Sequence, residues 1–372
     1  MREIDKKIGI LTYYYNSINY GGVLQSYALP RVLKKLGYVS EQICYAKEKE
    51  SIKNYNLFRI FKLIIKKCIY YFLNIKLKDR YNKFEIFRNS VPHSSLIYTD
   101  KNIDKSLKYY DIFITGSDQV WNLTWYCPAF FLNFVPLGTK KLSYGASLGR
   151  TKLSSEEKSF FRKNLVNYSA ISVRELDAVN LLESEINIKI EHVLDPTLLL
   201  TKEEWDEICS ERLVKGKYLF CYFIGDNSEI RKIAKKYAKI HNLKLVVLPH
   251  AMGFTFSDCF WGDLKMYDIG TSEFISLIKH ADYIMTDSFH GCVFSCIYKK
   301  QFNVFQRSNK KNMSSRIYSL LSLYNVKDRF CDNVEKQDIN YIETLPEIKY
   351  EKNTEFDILH DKSIKYLQKN LK

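Results

Sequence analysis

No two cysteines in this sequence stand at C-x-x-C spacing, and the nine present follow no regular interval. An odd, irregular set argues against a disulfide framework and for free thiols in a reducing compartment. Long apolar runs are missing as well. No stretch approaches the ~18 uninterrupted apolar residues of a spanning helix. The opening MREIDKKIGILTYYYNS has too short an apolar stretch for a secretory signal, so a cytoplasmic protein is expected. G-x-G-x-x-G and the P-loop are both absent. This withholds support from a dinucleotide site and a P-loop NTPase. His290, Cys292 and Cys296 lie close together, but no second ligand pair stands at zinc spacing. Neither a metal nor another cofactor is expected.

Negative charge is in short supply. The 57 Lys and Arg face 42 Asp and Glu, a formal net charge of +15. Such a balance points to an anionic partner: nucleic acid, acidic lipid or a phosphorylated substrate. No nucleic-acid motif accompanies it, and nucleic acid is not an expected partner. The excess is uneven, with twelve Lys/Arg against four Asp/Glu between Lys47 and Arg88. Within it, NLFRIFKLIIKKCIYYFLNI (56–75) has helical spacing. Leu57, Phe61, Ile64, Cys68 and Ile75 share one face, and Arg59, Lys62, Lys66 and Lys67 lie opposite. Two readings stand side by side. One is a helix packed on its domain with the cations in water; the other is an interfacial helix docked on anionic membrane.

At 372 residues and 46% hydrophobic, the chain is long and apolar enough for two ordinary domains. KIGILTYY (7–14) is an apolar run that ends in a Gly-containing polar loop, followed by helical spacing over 23–38. Strand, loop and helix open an α/β unit. The alternation recurs at YDIFITGSDQVWN (110–122), KLSYGASLG (141–149) and YSAISVRELDAVNLLE (168–183). A second series starts at KYLFCYFIGD (217–226) and includes TSEFISLIKHA (271–281) and DYIMTD before FHGCVFSCIYKK. The expected division is an N-terminal Rossmann-like domain over 1–205, with the basic insertion at about 47–88. A C-terminal Rossmann-like domain covers 206–335, and a tail or helix covers 336–372. No internal repeat is visible beyond this alternation.

The polar loops fall at the carboxyl ends of the strands, where open α/β sheets bind ligands. The site is therefore expected in a cleft between the domains. In TDSFHG (286–291), a helix start and the Ser288 hydroxyl would favour an anion. His290 suits a general acid or base, or a partner for phosphate or carboxylate. Gly291 would permit close approach. The bland alternative is a helix cap formed by Asp287 or Ser288, with His290 merely packed. In TGSDQVWN, Gly116 and Ser117 suit a tight turn and Asp118 could orient a sugar hydroxyl. Trp121 could stack on a sugar, or sit in the core. In SVRE (172–175), Arg174 could take an oxyanion bidentately, or pair with Glu175 or another acid.

Taken in order, NYGG-x-LQ, TGSDQVWN, SYGASLG, SVRE, VLDPT and ADYIMTDSFHG resemble the polysaccharide pyruvyl transferase family over about residues 7–320. The resemblance implies a GT-B-like α/β fold: two Rossmann-like domains facing across a cleft, with the C-terminal helix returning to the first. It also implies transfer of pyruvate from phosphoenolpyruvate to a sugar of a surface polysaccharide or its lipid-linked precursor, giving a pyruvate ketal. His290 and Gly291 match the family's His-Gly, and Arg174 its Ser-Val-Arg-Asp/Glu stretch. Both positions are associated there with phosphoenolpyruvate. Many members carry Arg where this chain has Ser288, so another cation is needed, with Arg316 and Arg307 as candidates. The implied catalytic set is His290 as phosphate partner or general acid, with Asp118 or Asp287 as hydroxyl partner. Arg174 is the anion clamp. Asn19, Gly21, Gly22, Gly116, Ser117, Asp195, Ser288, Gly291 and Arg316 complete the substrate site. Rival readings are a GT-B glycosyltransferase using a nucleotide sugar, and a glycan-binding relative without catalysis. Expected partners are phosphoenolpyruvate, a sugar acceptor and, at the periphery, the inner face of an anionic membrane.

Overall fold

A computed structural model describes residues 6–47, 68, 71, 78–185, 189–249, 258, 260–307 and 315–372. The short runs rich in Ile, Val, Phe and Tyr become strands, because such side chains pack well on a pleated surface. In the first half these are β1 (Lys7–Leu11), β2 (Val39–Tyr45), β3 (His93–Tyr98), β4 (Ile112–Thr115) and β5 (Lys140–Ser143). They form one parallel sheet in the order β3-β2-β1-β4-β5, with Ile10 level with Gln42 on one side and Ile114 on the other. β6 (Ile171–Val173) and β7 (Ile190–His192) pair in parallel beside it, joined through bridges from Leu142 to Ala170 and Ala146 to Val173. The helices here are α1 (Tyr20–Lys35), α2 (Lys78–Ser90), α3 (Ser155–Leu165) and α4 (Leu176–Glu183).

After the short α5 (Lys202–Asp206) the second half begins. Its strands are β8 (Tyr218–Tyr222), β9 (Lys244–Val247), β10 (Leu264–Lys265), β11 (Tyr283–Thr286), β12 (Gln301–Phe305) and β13 (Phe330–Cys331). Its helices are α6 (Ser228–Ile240), α7 (Thr271–Lys279), α8 (Phe289–Ile297), α9 (Ser315–Leu323) and α10 (Ile339–Thr344). The sheet is parallel, in the order β10-β9-β8-β11-β12-β13. Both sheets are doubly wound. Strand order reverses between β1 and β4 in one, and between β8 and β11 in the other, which is where such sheets take ligands.

The two halves touch directly. Helix α1 is buried on nearly every face, and its first residue, Tyr20, stacks on Phe274 of α7 with ring centroids 4.9 Å apart. The Tyr20 hydroxyl donates to the Ile269 carbonyl at 2.9 Å. One apolar core runs from Ile8, Ile10 and Leu24 through to Phe220, Ile284 and Val293. Full burial of one such side chain is worth ~1.5–3 kcal/mol, so this contact fixes the relation of the sheets. Finally α11 (Thr354–Leu371) returns to the first half. Ser363 accepts from the Leu194 N–H at 2.9 Å, and Tyr366 donates to the Ser143 carbonyl at 2.8 Å.

Among the described residues, no helix is long and apolar enough to cross a membrane. The amphipathic helix expected over 56–75 lies outside the described residues, apart from Cys68 and Tyr71, both exposed.

Candidate active site

The loops at the two switch points meet. Asn19 caps α1 by accepting from the Gly22 N–H at 3.2 Å. The next residues in that turn face the second half. A Cβ on Gly21 would lie 2.0 Å from Nδ1 of His290, so only glycine allows the imidazole this seat. A Cβ on Gly22 would stand 3.5 Å from Oδ2 of Asp118. After β4, Gly116 adopts φ +109°, and a Cβ there would stand 2.3 Å from the Tyr144 carbonyl. Asp118 follows at φ +70°, a left-handed conformation that Asp tolerates better than most residues. The Ser117 N–H donates to Oε1 of Gln25 at 3.1 Å.

Arg174, between β6 and α4, is the centre of the first half's contribution. Its guanidinium reaches Oδ2 of Asp195 at 2.6 Å, Oδ1 of Asp118 at 3.0 Å and Oε1 of Glu175 at 3.6 Å. Of the two readings of Arg174, the pairing with Glu175 and other acids is the one seen: three carboxylates occupy this arginine, which is buried. Burial alone would weaken its hold on the proton, but the three acids outweigh it and raise the pKa. Asp195 also accepts from Ser117 Oγ at 3.0 Å and, through Oδ1, from the Thr197 N–H and hydroxyl. Burial would raise its pKa; Arg174 and the Thr197 hydrogen bonds hold it down at about 2. Asp118 is likewise lowered, because Arg174 overcomes its burial. Glu175 goes the other way: burial raises it despite Arg174 and a hydrogen bond from Ser147.

The second half brings a different chemistry. Ser288 caps α8, accepting from the Gly291 N–H at 3.4 Å, so the capping alternative is realised. Gly291 packs on Thr286, whose Oγ1 would lie 2.4 Å from a Cβ. His290 projects from the first turn of α8 toward the first half, with Nε2 3.9 Å from Oδ2 of Asp195. That nitrogen is buried and has no hydrogen-bond partner among the described residues. Burial, opposed by Asp195 and Asp118 and reinforced by Arg174 and Arg316, pushes the imidazole pKa down to about 4. The ring is neutral at pH 7, so it can take a proton before it can give one.

Asp287 does not join this group. It accepts from the backbone N–H groups of Ile224 and Gly225 at 2.7 and 2.6 Å, pinning the loop after β8. Its carboxylate is thus engaged by backbone donors, while Asp118 pairs with Arg174. For Trp121 the core alternative is realised: it is buried and donates to the Phe130 carbonyl at 3.3 Å.

Two arginines remain. Arg307 donates from Nε to the Asp287 carbonyl at 3.1 Å. Among the described residues, no acceptor is bonded to its two terminal nitrogens. Arg316 is 7% exposed, and no carboxylate among the described residues lies within ion-pair distance of it. Its Nε has no hydrogen-bond partner among the described residues, while Gln119, with its amide oxygen turned inward, accepts from the terminal nitrogens at 2.6 and 3.2 Å. Burial, then Arg174 and Arg307, push its pKa down to about 9. The guanidinium groups of Arg174 and Arg316 lie 4.7 and 5.6 Å from the Phe289 ring. Sequence reasoning named Glu175 only as a partner for Arg174 and left out Ser147, Gln119 and Phe289. Their only signal was adjacency to SVRE, SYGASLG, GSD and SFHG.

A model of the polysaccharide pyruvyl transferase family matches residues 19–309. The chain belongs to this family. Membership makes it a transferase of polysaccharide chemistry with a sugar or polysaccharide acceptor. Solved structures resemble the whole chain at low identity. The UDP-GlcNAc 2-epimerase of Methanocaldococcus jannaschii has a TM-score of 0.57 at 15% identity, over 98% of this chain and 99% of that one. The UDP-N-acetylglucosamine 2-epimerase of Rickettsia bellii gives 0.50 at 9%, over 99% and 97%. That of Neisseria meningitidis gives 0.50 at 11%, over 98% and 99%. At such identities the likeness speaks of fold, and this pyruvyl transferase relative has the GT-B-like arrangement of two Rossmann-like units. No curated protein matches it significantly.

Proposed function

We propose that this family member transfers pyruvate from phosphoenolpyruvate to two hydroxyls of a sugar, releasing phosphate and closing a pyruvate ketal. The sugar belongs to a surface polysaccharide or its lipid-linked precursor. The observation that carries this reading is Arg316, a buried guanidinium without a carboxylate, beside Arg307. An unpaired buried cation is costly. It is accounted for if the site's ligand brings the anion. Phosphoenolpyruvate brings a phosphate and a carboxylate, the groups that Arg forks take bidentately. These two arginines supply the charge that Ser288 lacks relative to other family members.

The acid-rich side then serves the acceptor. Asp118 orients a sugar hydroxyl, and the neutral His290 takes the proton of the attacking oxygen. Protonation of the donor's methylene carbon makes C2 electrophilic, one hydroxyl adds there, phosphate leaves, and the second hydroxyl closes the ring. The two hydroxyl protons end on the new methyl group and on phosphate. Arg174, held by its acids, keeps Asp118 and Asp195 in position and fills the place a cation would take between them. On this reading the reaction needs no metal.

A nucleotide-sugar glycosyltransferase is the second reading, favoured by the fold shared with enzymes of UDP-sugars. Phosphate release from phosphoenolpyruvate with a panel of free and lipid-linked glycans separates the two. Thermal stabilisation by UDP-sugars but not phosphoenolpyruvate, with no phosphate released, would overturn the pyruvyl reading.

A further inference from the structure

Behind the arginines lies a cavity of about 400 Å³, bounded by the start of α4, the loop after β7, α9 and the first turns of α11. That size falls within the ~300–1,000 Å³ of small-ligand sites. Its α9 wall carries Ser315, Ser319 and Ser322. The spacing of four and three residues puts the three on one helical face, spread along about 10 Å of axis. Among the described residues, none of the three hydroxyls is hydrogen-bonded within the protein. Arg316, from the same helix, also lines the cavity, and its Nε is buried without a hydrogen-bond partner among the described residues. Arg174 lines it too, its Nε facing Glu175 at ion-pair distance. Toward solvent stand the exposed carboxylates Asp177 and Glu355, and leucines such as Leu320 and Leu359 line much of the rest, beside His192, Asp195, Phe289 and Tyr318.

This lining selects a ligand class. A row of free hydroxyls, backed by apolar side chains and rimmed by carboxylates, suits a neutral ring carrying several hydroxyls of its own. A polyanion would meet Asp177 and Glu355 on entry. We infer that the cavity between α4, α9 and α11 is a saccharide subsite, holding a neutral sugar ring on Ser319 and Ser322. Its role as acceptor subsite rests on the pyruvyl-transfer reading, since Arg316 would then present the donor at its inner end. Sugar binding itself does not depend on that reading.

Saturation-transfer NMR on the full chain, with methyl glycosides of the common neutral hexoses, tests the subsite. Thermal stabilisation by phosphoenolpyruvate tests the donor site separately. Saturation is expected in the wild type, weakened about tenfold in affinity in S319A/S322A, where two neutral hydrogen bonds are lost. In Ser319→Leu, which fills the cavity, it should vanish, while both variants keep the phosphoenolpyruvate shift. The alanine pair suits helix geometry and stands as the test if the leucine variant misfolds. Equal saturation in the wild type and the alanine pair overturns the subsite, as does no saturation in the wild type. Loss of the phosphoenolpyruvate shift in Ser319→Leu with sugar binding intact also overturns it, by making the cavity the donor's. Sugar effects as expected with no phosphoenolpyruvate shift in any protein would sink the donor reading and leave the subsite standing.

Discussion

Arg174 and Arg316 are both buried, both lie against Phe289, and yet they sit in opposite electrostatic surroundings. The first half of the chain surrounds Arg174 with Asp118, Asp195 and Glu175. Arg316, from the second half, meets the amide of Gln119 and the repulsion of its fellow arginines, with no carboxylate at ion-pair distance among the described residues. One guanidinium is a structural tie whose charge is more than answered. The other is an open valence. Burial alone therefore says little about whether a charged residue serves the fold or the ligand; its pairing does.

The largest effect expected from breaking this contrast is on stability. Arg174→Met leaves three buried carboxylates without their cation, and loss of one partner of such a network costs ~3–5 kcal/mol. Urea denaturation should show a severely destabilised protein. Arg316→Met should do the opposite: an unpaired buried charge is replaced by an apolar side chain, so the midpoint should hold or rise. Phosphoenolpyruvate affinity, read by calorimetry, should fall by ~1.5–3 kcal/mol, the worth of a charge-assisted hydrogen bond. Equal destabilisation by the two substitutions would erase the distinction.

A smaller effect concerns acid stability. His290 has a lower pKa folded, about 4, than the ordinary 6.5. The unfolded chain therefore takes the proton first. The contribution is fully present above pH 6.5 and is lost as pH falls toward 4. His290→Gln should flatten the fall in melting temperature across that window. Glu175, with its raised pKa, has the opposite sign, but comparing variant and wild type at each pH cancels it. The smallest effect should be that of EDTA. With Arg174 already between the carboxylates, phosphate release should be unchanged by chelation, and restoration by added Mg²⁺ would count against the arginine-only site.

Much of the site was legible as positions and little of it as roles. His290, Asp118, Arg174 and Asp195 come together, because each lies just past the carboxyl end of a strand (β11, β4, β6 and β7), and strand ends can be read from apolar runs. Asp287 has the same sequence credentials as Asp118, yet the backbone N–H groups of Ile224 and Gly225 take its carboxylate. Trp121 looked equally able to meet a sugar and is buried in the core. Glu175 went unselected since nothing in SVRE distinguishes a surface acid from one 2% exposed.

The sequence by itself determined the alternation of strand and helix and the placing of polar loops at strand ends. It also marked Gly21 and Gly22 beside Asn19. These follow from side-chain periods of 2 and 3.6 and from the conformations open to each residue, all local properties. The tertiary structure alone decided which charges are answered. Arg174 meets Asp118 and Asp195 from 56 and 21 positions away. Arg316 reaches the same place from the other half and, among the described residues, finds no acid at ion-pair distance. Coulombic pairing and burial depend on distance through space and on excluded water, and neither is written along the chain.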